Sequence, residues 1–195
     1  MPRCRVAVCS ALLVSVLAAC ASDSRSAEPE TQSSVSSESS VSGAVFVPAD
    51  ITFAQGMIPH HLQAIEMADL ALTDGAGASP EIRAIAQAVR VAQDPEVQQL
   101  TALLKSWDQP VESEHGDHLM TGMLSQEQMT ELAASSGPAF DQMWATLMIE
   151  HHEGAIEMAK TVLGDGSDPT IHDLATAVVS TQQAEIEQLQ ALLDA

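Results

Sequence analysis

The stretch M-I-P-H-H-L-Q-A-I-E-M-A, Met57 to Ala68, returns as M-I-E-H-H-E-G-A-I-E-M-A, Met148 to Ala159. A chain that carries such a motif twice at a fixed offset folds as two copies of one supersecondary unit, which restricts the architecture to something with a pseudo-twofold. The correspondence runs upstream, where Asp50 answers to Asp141 and Phe53 to Trp144 at the same offset of 91 residues. A second block follows each copy: Ile82 to Leu100 answers to Ile171 to Leu189, now at an offset of 89. The loop inside the first copy is therefore two residues longer.

No alternating strand pattern occurs, and both blocks have helical periodicity. Asp50 is expected to cap a first helix that reaches about Thr73, with Pro59 inside it kinking the helix or withdrawing a backbone hydrogen bond. Ser79-Pro80 and Asp168-Pro169 are matching starts, each an N-cap followed by proline at the first helical position. The helices they open reach about Trp107 and Leu193, and the first contains Pro95. Between the halves, Asp108 to Leu124 reads as a loop, and Ser125 with Gln128 as the capping box of a short helix ending near Gly137-Pro138. A fourth long helix runs from Ala139 to Leu163 and ends at Gly164. Two repeated helical hairpins with a short linking helix predict an all-α four-helix bundle.

Each helical residue advances about 100°, which places Met57, His60, His61 and Met67 in the apolar arc with Phe53, Ala64 and Ala68, while Glu66 points away. Met148, His151, His152 and Met158 repeat the arrangement, so four histidines from two helices aim at one core. Gln93 and Glu96, and their counterparts Gln182 and Glu185, fall on the apolar faces of the partner helices. A carboxylate there is costly unless it is paired or bound to metal. Together with Asp50 and Asp141 this makes two copies of Asp, Met, His, His, Met, Gln and Glu. Imidazole and thioether without thiolate is the ligand set expected of a copper ion in an oxidising compartment, with Met favouring Cu(I) and His serving both oxidation states. Glu96 and Glu185 could ligate directly or orient a histidine ring. The rival is a metal-free His–Glu network that pins the halves together in a structural or interaction bundle. His115, His118, Met120 and Met123 form either an accessory copper-acquiring loop or a polar linker. His172 has no partner in the pattern and reads as a surface residue.

Residues 1–19 combine Arg3 and Arg5, an apolar run from Val6 to Val16 and the sequence L-A-A-C ending at Cys20: a lipoprotein signal peptide, too short to span a bilayer. Cys20 would then be the lipidated (palmitate-bearing) first residue of a protein anchored to the extracytoplasmic side of a membrane in the cell envelope. Cys4 and Cys9 fall in the leader, so no disulfide and no thiolate ligand is available to the folded part. Residues 20–47 form a Ser-rich tether, with ten serines among the 21 residues from Ser22 to Ser42, a composition that does not repay ordering. Without its leader the chain keeps five basic and 27 acidic residues, a formal charge of −22, which excludes nucleic acid and anionic surfaces as partners and leaves metal ions and the anchoring membrane. Residues 48–195 are left as one domain of two repeats, about 50–107 and about 139–195.

The paired M-I-x-H-H and E-M-A motifs resemble those of the domain of unknown function 305 family over roughly Asp50 to Leu193. The resemblance implies a ferritin-like bundle in an exported or lipid-anchored protein, and copper binding of the kind found in periplasmic members implicated in copper resistance. By position the implied ligands are Met57, His60, His61, Met67, Met148, His151, His152 and Met158. Two departures stand out. Leu62-Gln63 replaces the glycine usual after the first His-His pair, and Leu100 and Leu189 stand where relatives often carry Met, which leaves fewer thioethers for Cu(I). The expected role is a copper chaperone or buffer without catalysis. A ferritin-like di-metal oxidase is the enzymatic alternative, but it needs Glu-x-x-His on helices, and the only such spacing is Glu112 to His115 in the loop.

Overall fold

Proline occupies the first position of all four long helices in the computed structural model, which describes residues 46–112 and 120–195. In chain order the elements are α1 (Pro48–Leu72), a 3-10 turn (Asp74–Ala76), α2 (Pro80–Ser106), α3 (Gln126–Ala134), α4 (Pro138–Asp165) and α5 (Pro169–Leu193). Proline has no N–H to leave unbonded and is pre-set for the helical φ, so it fits where each helix begins. Ser79 and Asp168 cap α2 and α5 as expected, and Ser125 forms its capping box with Gln128. Cys20, the serine-rich tether, His115 and His118 lie outside the described residues.

Three local expectations need correction. The residue capping α1 is Val47, and Asp50 is the third helical residue, its carboxylate receiving the Val47 N–H at 2.8 Å. Helix α4 continues through Gly164 to Asp165, because a glycine weakens a helix without ending it unless the backbone turns left-handed there. Pro59 and Pro95 lie inside α1 and α2, and each, having no N–H, withdraws one backbone hydrogen bond from its helix. His172 is half-buried, with its Nε2 enclosed and unpartnered.

Helix α1 packs on α2 and α4 on α5, and the two hairpins meet chiefly where α1 crosses α4. The apolar interior falls into two clusters. One joins the end of α1 (Ala64, Met67, Ala71) to the start of α2, to α3 and to the start of α4 (Phe140, Trp144, Met148). The other joins the start of α1 (Phe53, Met57) to the end of α2 (Leu100, Leu104), the end of α4 (Ala155, Val162) and the start of α5 (Ile171, Val178). Helices α1 and α4 are therefore antiparallel, and both His-His pairs fall between the clusters, near the middle of the bundle. Met57 and Met148 are fully enclosed, and burial of a side chain of that size stabilises the fold by roughly 1.5–3 kcal/mol.

The halves are also tied by polar contacts that the repeat duplicates. Asp50 accepts the N–H groups of Ser167 (3.1 Å) and Asp168 (3.2 Å) at the start of α5, while Asp141 accepts the N–H of Ser79 (3.1 Å) at the start of α2. Each aspartate thus holds the start of the other repeat's second helix, and each sits in the first turn of its own helix, where the macrodipole favours a negative charge. Trp144 adds a further cross-tie, its indole N–H donating to the Met67 carbonyl at 2.8 Å. Among the described residues no helix is long and apolar enough to cross a membrane.

Candidate metal centre

His60 on α1 and His151 on α4 face one another across the interface between repeats. Their ring centroids are 3.8 Å apart and their planes are inclined at 43°. His61 and His152 are turned toward the second helix of their own hairpins: His61 Nε2 lies 2.7 Å from Glu96 Oε2, and His152 Nε2 lies 2.8 Å from Glu185 Oε2. All four rings are completely buried. Glu96 and Glu185 are each bonded to one imidazole. Asp50 and Asp141 are not beside the histidines; each is ten residues, roughly 15 Å of helix, from the first histidine of its repeat and is bonded to backbone.

The hydrogen bonds fix which nitrogens are free. A carbonyl oxygen only accepts, so His60 donates its Nε2–H to Thr121 O at 3.2 Å, and its Nδ1 carries a lone pair. A carboxylate likewise takes the Nε2–H of His61 and of His152, which turns the Nδ1 of each away from its glutamate. These three Nδ1 atoms have no partner, and neither nitrogen of His151 has one. Gln93 and Gln182, one turn before the glutamates, each bury an unpartnered Oε1. Buried polar atoms of native proteins nearly always find partners, so a symmetric cluster of orphans calls for an explanation.

Burial, with the charge of His61 second, lowers the pKa of His60 from 6.5 to about 3, against the opposing pull of the bond to Thr121. His151 is held well below 6.5 by burial first and by His60 next. Both rings are thus neutral at neutral pH, the protonation state in which imidazole binds metal. Among the described residues, no three His, Cys, Asp or Glu side chains are grouped to hold one ion. The unpartnered nitrogens belong to imidazole rings, and fully buried thioethers occur in the same bundle core.

The segment from Met120 to Leu124 lies across α1 and α4 beside the paired rings. Gly122 has φ 83°, and a Cβ added to it would stand 2.7 Å from Glu150 O and 3.0 Å from His151 O. A Cβ on Gly154 would stand 2.6 Å from the carbonyl carbon of Thr121 and 2.9 Å from Gly122 Cα. On the α1 side, Gln63 forms two hydrogen bonds with Leu124, donating to its carbonyl at 3.0 Å and accepting its N–H at 2.7 Å. The segment is thus pressed against one repeat and gripped by the other, and it ends over His60.

The profile described as "Domain of unknown function (DUF305)" matches residues 50–193. The chain belongs to this family. It is similar to a putative secreted DUF305 protein of Streptomyces coelicolor, with 28% identity, a TM-score of 0.69 and coverage of 75% of this chain and 92% of that one. It is also similar to CopM in its Cu(I)-bound form, with 27% identity, a TM-score of 0.63 and coverage of 74% and 95%. CopM has been solved in Cu(II)- and Ag-bound forms as well. The uncharacterized protein L153 of Acanthamoeba polyphaga mimivirus is 39% identical over 54 residues, and there the chain spans 36% of that relative.

Within the DUF305 pattern the exchange of glycine for Gln63 now has a reason. Gln63 and Gly154 correspond at the 91-residue offset. A single connecting segment cannot meet both repeats alike, so one copy keeps glycine to let it approach and the other carries an amide to hold it. Sequence reasoning missed this use of Gln63, Thr121, Gly122 and Gly154. The signal was the glycine inside α4, a position where glycine costs roughly 1 kcal/mol relative to alanine and so marks a close approach.

Proposed function

We propose that the chain is a copper-binding protein of the cell envelope, anchored through lipid on Cys20, that carries or buffers the ion without catalysis. The observation that supports this best is the pair His60 and His151: neutral, buried, in ring contact across the repeats, with three unpartnered nitrogens between them. Similarity to CopM, solved with Cu(I), Cu(II) and silver, points the same way. Met57 lies buried in one apolar cluster and Met67 and Met148 in the other, and Met158 is half-buried. A di-metal oxidase would need a carboxylate-rich set, whereas Glu96 and Glu185 each hold one imidazole.

The two glutamate contacts favour a division of labour. His61 and His152 lock α1 to α2 and α4 to α5, and His60 with His151 takes the ion. The test is elemental analysis of the purified full-length protein after copper loading and desalting, beside His60→Leu/His151→Leu and His61→Leu/His152→Leu. Copper lost only in the first variant supports the reading. Copper absent from the unaltered protein, or retained in full by the first variant, contradicts it and favours a metal-free structural bundle.

A further inference from the structure

Gly56 stands in the middle of α1, where glycine is unfavourable relative to alanine. A Cβ at this position would lie 3.1 Å from Met120 Sδ and 3.7 Å from Met158 Sδ. Two thioethers, one from the connecting segment and one from α4, thus lie against the same bare stretch of helix, and their sulfurs are at most 6.8 Å apart, the sum of those distances. Both methionines are half-buried.

The other repeat shows what the arrangement looks like when it serves packing alone. Leu147 takes the place of Gly56, and Met67 that of Met158. Met67 is fully enclosed in an apolar cluster against which Leu147 packs. If Met158 were only a filler of core space, the same leucine would serve beside it. Beside Met158 there is instead no side chain at the corresponding position, Gly56, and a second sulfur, that of Met120, lies there.

We infer that Met120 and Met158 form a thioether subsite for a soft monovalent cation, Cu(I) or Ag(I), beside the histidine pair. Thioether sulfur prefers such ions to Zn(II) and cannot be protonated in the physiological range, so the pair captures the soft ion selectively. His60 lies one helical turn beyond Gly56, and Thr121, the residue after Met120, receives the His60 Nε2–H. An ion held by the two sulfurs is therefore adjacent to the imidazoles. The inference deepens the copper reading by adding a residue pair that joins the connecting segment to the second repeat.

The test is a titration of the full-length protein, labelled at its methionine methyl carbons, with silver nitrate and separately with zinc chloride. Met120→Leu and Met158→Leu, both near-isosteric, assign the two resonances. Silver is expected to shift both together and zinc to shift neither. The double leucine variant should lose one of the bound silver equivalents at unchanged melting temperature, and Gly56→Leu, which copies Leu147, should abolish the shifts. Persistence of the shifts in His60→Leu/His151→Leu supports a thioether subsite independent of the histidine site, so copper retention failing at the histidines and silver failing at the sulfurs are separate results. Silver binding that leaves Met120 and Met158 unmoved, or zinc shifts equal to those of silver, would overturn the inference.

Discussion

Replacing a helical glycine by alanine ordinarily stabilises a helix by roughly 1 kcal/mol, and α4 offers two such positions with opposite surroundings. At Gly164 a Cβ would meet nothing within 4 Å, whereas at Gly154 it would stand 2.6 Å from the Thr121 carbonyl carbon and 2.9 Å from Gly122 Cα. Ordinary contacts of a Cβ begin near 3.4 Å, and here the nearest neighbour is the Thr121 carbonyl oxygen, closer still and part of the backbone, so the connecting segment must retreat by more than an ångström. Overpacking of this kind costs roughly 1–3 kcal/mol. The retreat also stretches the His60–Thr121 bond, and leaving that buried Nε2–H unpaired costs roughly 1–3 kcal/mol more. Against the helical gain of roughly 1 kcal/mol, Gly154→Ala is expected to destabilise by about 1–5 kcal/mol while Gly164→Ala stabilises. Urea denaturation followed by circular dichroism measures both. Equal stabilisation by the two substitutions would refute the idea that the segment from Met120 to Leu124 is seated on α4.

Acid should weaken the fold through the buried histidines. In the folded state His60 is lowered to about 3, and the unfolded chain titrates near 6.5, so between these values the unfolded state binds more protons and stability falls as pH falls. Between pH 7 and pH 5 the loss from His60 is about 2 kcal/mol, and His151 moves the same way; melting at the two pH values should show a smaller difference in His60→Leu/His151→Leu. Asp50→Ala removes an acceptor shared by Val47, Ser167 and Asp168 and is expected to cost roughly 1–3 kcal/mol in urea titrations, chiefly by freeing the start of α5. Trp144→Phe leaves the Met67 carbonyl without the indole N–H and should lower stability by roughly 1–3 kcal/mol, which a thermal melt will show.

Where the repeat speaks, the sequence can be read closely. The starts of α2 and α5 were legible because cap and proline stand together, and the burial of His60, His61, His151 and His152 followed from helical angle alone. The pairing of Glu96 and Glu185 with histidines was half legible: their place on an apolar face required a partner, but only the fold shows that it is the outer histidine of each pair. Asp50 was misread as a cap because a first-turn carboxylate and a capping carboxylate differ by a few residues of boundary. Contacts that break the twofold left no periodic trace. Gln63 with Leu124, Gly154 with Thr121, and Met120 with Met158 all depend on the path of the connecting segment, which no repeat duplicates.

The central claim is that a metal ion bridges the two repeats at His60 and His151. Anomalous diffraction from crystals of the Cu(I)-loaded protein tests it most directly. A copper peak within roughly 2.0–2.1 Å of an imidazole nitrogen of both His60 and His151, the usual length for a first-row metal on histidine, is the expected result. A copper-replete crystal with no peak between these two rings would contradict the claim.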